Sequence, residues 1–220
     1  MNKNQSSWLL LTYKVPPEPS KVRVAIWRRI RGLGAVYIQN GICVLPTTTE
    51  HQRQFRMVQS DIEQAGGEAV IFETTAMDDK QESLVVMRFK HDRDQDYEEF
   101  LDKCADYKRD VDKEVQSDHF TYAELKENDE DLKKLRGWLD KIKALDFYGA
   151  PARVMAEQQL AECEAVLEAY AQEVFEREQN LKGEPPPKVA AVKRAGVAKK
   201  SGTSKAGPVS GRTTKQGGKA

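Results

Sequence analysis

Five cations within eleven residues, Lys21, Arg23, Arg28, Arg29 and Arg31, are the densest concentration of chemistry in this chain. Ammonium and guanidinium groups packed this closely suit the phosphates of a nucleic acid, because affinity for a polyanion comes mainly from such contacts. Val22, Ile26, Ile30 and Leu33 make an apolar stripe at helical spacing. At 100° per residue, Arg23 and Arg31 fall on one side of that stripe and Lys21 and Arg28 on the other. Arg29 falls inside the apolar arc, where it must snorkel outward or meet an acid. The same cations also suit a solvated helix face, or salt bridges to acidic helices further along the chain. Pairing of Arg23, Arg28 and Arg31 with carboxylates of residues 92–178 would exclude the nucleic-acid reading of this helix. A second basic group holds Lys193, Arg194, Lys199 and Lys200, within a segment 182–220 that carries ten Lys and Arg against one Glu. That excess suits sequence-independent binding to nucleic acid, with a solubilising linker as the alternative.

Other reactive side chains do not converge. Cys43, Cys104 and Cys163 are odd in number and widely spaced, so neither a disulfide framework nor a zinc site is expected, and a reducing cytoplasm fits. His91 with Asp92 and Asp94 suits a cation or, more simply, a solvated turn before a helix; Asp118-His119 reads the same way. Asn128-Asp-Glu-Asp131 reads as an acidic helix start, favoured by the helix dipole. The first strand ends in Thr12-Tyr13-Lys14 without a carboxylate, so two-metal phosphoryl chemistry lacks its clamp. Gly32-Leu-Gly34 follows a helix rather than a strand and makes no phosphate loop. No catalytic group, metal or cofactor is expected. Trp8 and Trp138 read as core or interface rather than base-stacking groups, whereas Trp27 is the exception, near the polar edge of its helix beside Arg23 and Arg31.

The elements that position these residues follow from periodicity. The net charge of zero, from 35 basic and 35 acidic side chains, hides three blocks: +5 over residues 1–67, −14 over 68–181 and +9 over 182–220. Trp8 to Tyr13 is a strand buried on both faces, and Ser20 N-caps the arginine helix. Ala35–Gln39 and Ile42–Leu45 flank Asn40-Gly41, which predicts a hairpin with a type I′ turn and positive φ at both turn residues. Thr49 to Ala65 is a helix closed by Gly66-Gly67, Glu68–Phe72 a strand, and Ser83-Leu-Val-Val-Met-Arg-Phe89 a further strand. Residues 1–90 thus form a ferredoxin-like βαββαβ domain, with an antiparallel sheet and both helices on one face. The extra strand 83–89 extends the sheet or pairs with a second copy.

Residues 91–181 form an acidic helical region with three stripes: Tyr97 to Val115, Leu132 to Leu145 and Leu160 to Val174. Thr121 and Glu124 make a capping box for the second helix, and Pro151 suits the first turn of the third. Residues 182–220 lack aromatic side chains and read as a disordered tail. The fold class is therefore α+β, with a helical region and a basic tail. No apolar run approaches the roughly 20 residues needed to cross a bilayer, and Met1 to Ser7 is too polar for a signal peptide.

Trp8-Leu-Leu-Leu, Pro16 to Ser20, Arg23-Val-Ala-Ile-Trp-Arg-Arg-Ile-Arg-Gly-Leu-Gly-Ala35 and Gly41-Ile-Cys-Val-Leu-Pro46 resemble the N-terminal domain of the chromate-resistance regulator family ChrB. Phe120-Thr-Tyr-Ala-Glu-Leu and Asp146-Phe-Tyr-Gly-Ala extend the resemblance over roughly 7–175. The stretch from Trp27 to Pro46 is also similar to a domain of the phenylacetate repressor family PaaX. The resemblance implies a ferredoxin-like domain, DNA-linked regulation and chromate as effector. The leading expectation is a non-enzymatic cytoplasmic regulator that binds DNA through the cationic helix and the tail. The alternative is a scaffold protein that forms a homodimer through strand 83–89.

Overall fold

A computed structural model of the chain describes residues 6–183. The tail, with Lys193, Arg194, Lys199 and Lys200, lies outside the described residues, as does the disorder expected of it. The described part is α+β. Its strands are β1 (Ser7–Lys14), β2 (Val36–Gln39), β3 (Ile42–Pro46) and β4 (Glu68–Thr75). Its helices are α1 (Ser20–Gly32), α2 (Thr49–Gln64), α3 (Asp79–Gln116), α4 (Tyr122–Ala144) and α5 (Arg153–Gly183). The strands form one antiparallel sheet in the order β2-β3-β1-β4.

Alternation along β1 decides what each face of the sheet holds. Leu9 and Leu11 register with Leu45 and Cys43 of β3 and are buried with Ile26 and Ile30 of α1 and Phe55, Val58 and Ile62 of α2. Both early helices therefore cover one face, as expected. Trp8, Leu10, Val36 and Val44 point the other way. The first turns of α3 cover that face with Val85, Val86 and Phe89.

This overturns the strand expected at 83–89. The β-branched run reads as a strand, but Val85 and Phe89 are one helical turn apart and a bare sheet face needs them together. Asp78 caps the helix by accepting from the Gln81 amide at 2.8 Å. The dimerisation route through a strand at 83–89 falls with it. One helix also runs unbroken across residue 90, where the sequence suggests a boundary.

Smaller differences have local causes. Pro19, not Ser20, is the N-cap residue of α1, and no side chain caps it. Gly41 has φ +73°, but Asn40 lies outside the left-handed region, so the turn is not type I′. The ladder instead shifts register between Tyr37 and Gln39. Thr121 caps α4 by accepting from the Glu124 amide, as the capping box predicts. Asn128 to Asp131 consequently lie inside α4 rather than at its start. Pro151 sits in a turn two residues before α5.

The three long helices bury Tyr97, Phe100, Cys104, Leu132, Leu139, Cys163 and Tyr170 in a shared core. Lys108–Glu162 at 2.7 Å, Arg136–Glu164 at 2.6 Å and Lys143–Glu157 at 2.7 Å bridge them. The loop from Asp146 to Ala150 joins this layer to the sheet. Phe147 packs edge-on against His51 and Phe89, and Tyr148 accepts from the Trp8 indole. Asp146, buried, takes the Ala150 amide at 2.9 Å and the Tyr97 hydroxyl at 3.2 Å. No described helix is long and apolar enough to cross a membrane.

Candidate nucleic-acid interface

Helix α1 packs through Ile26 and Ile30, which leaves its opposite face outward. The apolar stripe read from the sequence fixes this rotation, and the five cations then separate into two classes. Lys21, Arg23 and Arg28 are exposed and form no ion pair among the described residues. Arg29 and Arg31 are engaged with the protein itself.

Arg29, placed in the apolar arc, meets an acid there: Asp61 of α2 takes its guanidinium in a close ion pair. Arg31 reaches Asp92 of α3 at 3.9 Å, and its guanidinium lies over the Trp27 ring, 5.7 Å from the centroid. Both arginines also sit in the last turn of α1, where the helix dipole favours cations. The acidic block therefore claims Arg31 but leaves Arg23 and Arg28 unclaimed. Its carboxylates turn mostly to Lys and Arg of their own helices, as in Asp106 with Lys103 and Arg109, and Asp131 with Lys134.

Beside Lys21, Arg23 and Arg28 lies a groove of about 550 Å3, which the linear sequence does not reveal. Arg23, Val24 and Trp27 of α1 form one wall; Tyr13, Tyr37 and Asn40 form the floor and the other wall. Trp27 is 47% exposed and Val24 40%. The hydroxyls of Tyr13 and Tyr37 share a hydrogen bond of 2.8 Å. Burial pushes both phenols above their ordinary range, so the floor is neutral at physiological pH. The unusual exposure of Trp27 is legible from its position at the polar edge of the helix. The tyrosine pair is not, because it depends on the hairpin folding back to the end of β1.

The remaining candidates disperse. His91, Asp92 and Asp94 lie within α3, not in a turn before a helix, and each has a different partner. Gln95 lies 3.3 Å from the His91 ring, Arg31 faces Asp92, and Asp94 accepts from the Ala152 amide at 2.9 Å. Asp118, at φ +57°, pairs with Arg177 at 2.6 Å. Among the described residues, no group of three His, Cys, Asp or Glu side chains is placed to hold a metal ion. Trp8 is buried, and Trp138 packs edge-on against Phe100.

A family model described as "Protein ChrB, N-terminal" matches residues 23–181, which include most of α1, the groove residues Arg23, Val24, Trp27, Tyr37 and Asn40 but not Tyr13, and nearly all of the three long helices. Protein ChrB of Cupriavidus metallidurans is 24% identical over 164 residues, covering 74% of this chain and 47% of that protein. The chain thus spans about half the length of that curated relative. No solved structure matches it.

Proposed function

The chain belongs to the ChrB N-terminal family, and from that premise we propose that it is a cytoplasmic, DNA-associated regulator of chromate resistance. Lys21, Arg23 and Arg28 contact the phosphate backbone, and the basic tail adds affinity without sequence choice. One observation carries this reading: three exposed cations of α1, Lys21, Arg23 and Arg28, have no carboxylate partner among the described residues, while their neighbours Arg29 and Arg31 do. A helix built only for internal salt bridges would have no use for the unpaired three. The sheet order β2-β3-β1-β4, with α1 and α2 on one face, supports a ferredoxin-like scaffold that presents α1 at the surface. Chromate enters as effector through the family alone.

The test is a titration of duplex DNA at several salt concentrations. It compares the full chain, a 1–183 truncation and a Lys21→Ala/Arg23→Ala/Arg28→Ala variant. Each lost phosphate contact should make the slope of log affinity against log salt shallower by about 0.9. Slopes equal to that of the full chain in both variants would overturn the reading.

A further inference from the structure

We propose that the groove between α1 and the Asn40–Gly41 turn takes one unstacked base of a single-stranded nucleic-acid segment, stacked on Trp27, with adjoining phosphates on Arg23 and Arg28. This rests on the polyanion reading of α1 and goes beyond it, because contacts to a duplex backbone need neither the groove nor the tryptophan.

Trp27 is half-exposed on a helix whose own packing is satisfied by Ile26 and Ile30. An indole left in water forgoes a large apolar gain, and here it stands with Val24 at the mouth of a cavity rather than alone. Its orientation is held: Arg31 lies over the ring, and Asp92 faces Arg31 in turn. The opposite wall is equally fixed. Tyr13 donates its backbone N–H to the Gly41 carbonyl at 2.7 Å, tying the hairpin tip to the end of β1. A Cβ on Gly41 would stand 2.5 Å from the Tyr13 carbonyl oxygen, so the approach of turn to strand requires glycine.

Charge selects the occupant. The floor offers neutral phenols, Asn40 offers an amide with both donors and an acceptor, and Arg23 stands alone among the lining residues as a cation. A small oxyanion would want several converging cations. A base wants a flat apolar face and polar edges, with positive charge only where its phosphates emerge. Arg28 and Lys21 supply that charge on the outward face beyond Val24. In a duplex the bases are already stacked and paired, so a free base face is what this groove fits.

The experiment uses the full chain with a labelled twelve-residue oligothymidylate and a duplex of the same length, followed by anisotropy at fixed salt. The single strand should bind at least as tightly as the duplex. Trp27→Ala should lower the single-strand-to-duplex affinity ratio roughly tenfold, the scale of one lost base–aromatic stack, and Trp27→Phe should retain most of it. An unchanged ratio in Trp27→Ala, or no binding of the single strand, overturns the proposal. Competition by polyglutamate as effective as that by the oligonucleotide also overturns it, in favour of an acidic protein partner. Duplex binding that weakens on loss of Lys21, Arg23 and Arg28, alongside a Trp27-independent ratio, sinks this inference and leaves the function above standing. Duplex binding indifferent to those three cations sinks this inference together with the polyanion reading of α1 on which it rests.

Discussion

The indole Nε1 of Trp8 donates to the hydroxyl of Tyr148 across 2.8 Å, joining residues 140 positions apart. Trp8 lies in β1, one of the two inner strands of the sheet, and Tyr148 in the loop between α4 and α5. Around this bond, Phe89 of α3 packs against Tyr148 with ring centroids 5.1 Å apart. Sheet and helical layer are therefore locked by a directional contact as well as by apolar burial.

Tyr148→Phe keeps the ring but removes the acceptor. Trp8 is 2% exposed, so its N–H is left without an evident partner. An orphaned buried donor costs about 1–3 kcal/mol. Urea unfolding should show a lower midpoint with an unchanged m-value. A midpoint equal to that of the parent protein would mean that the bond carries no net stability.

The division of the α1 cations predicts unequal variants. Arg28→Ala and Arg23→Ala should each reduce the salt slope of DNA binding by about 0.9. Arg29→Ala should leave the slope nearly unchanged, because Asp61 already holds that guanidinium. Its stability cost should stay under about 1 kcal/mol, since both partners are partly exposed and water screens the pair. Salt-dependent titrations of the three single variants check this; an Arg29→Ala slope as shallow as that of Arg28→Ala would refute the division.

Much of this architecture is legible in local sequence. Val22, Ile26 and Ile30 fix the rotation of α1, Asn40-Gly41 marks the hairpin, and Thr121 with Glu124 marks the start of α4. The segment at 83–89 is not legible from periodicity over seven residues. Its helical state is decided by Trp8, Leu10, Val36 and Val44, which are distant in sequence and need a cover. The capping signal Asp78–Gln81 was nonetheless present, just upstream. For the site, the position of Arg29 showed that it needed an acid, but only packing of α1 on α2 identifies Asp61. The groove depends on strand register and hairpin return, so spacing along the chain cannot disclose it.

Alkaline pH should destabilise the fold. Cys43 is wholly buried, and burial pushes its thiol up to about 12. In the unfolded chain the thiol loses its proton near its ordinary value of about 8.5. Between these values the folded state binds more protons than the unfolded state, so stability falls as pH rises. The loss approaches about 1.4 kcal/mol per pH unit for this one group. Tyr37, also raised by burial, adds to it above its ordinary value. Urea unfolding from pH 8 to 10.5 should show the decline, and Cys43→Ala should flatten it. A parent profile that is level across this range would contradict the burial argument.

Two glycines at the end of α1 should respond to alanine with opposite signs. Gly32 is the last residue of the helix, and a Cβ there meets nothing within 4 Å. Gly32→Ala should stabilise by roughly 0.4–1 kcal/mol, mainly by narrowing the unfolded ensemble. Gly34, two residues on, has φ +77°, which costs a residue with a Cβ roughly 1–2 kcal/mol. Its Cβ would also stand 3.0 and 3.1 Å from ring carbons of Phe147, in the loop that joins the helices to the sheet. Phe147 cannot retreat freely, because His51 and Phe89 pack on it. Gly34→Ala should therefore lose more than the backbone cost alone and shift the exit of α1 into β2. Since α1 carries the outward cations and Trp27, that shift should weaken DNA binding even at temperatures where the variant remains folded. Thermal unfolding and DNA titration of both variants provide the check: the same sign of stability change in both would show that the turn at Gly34 does not set the path of the chain.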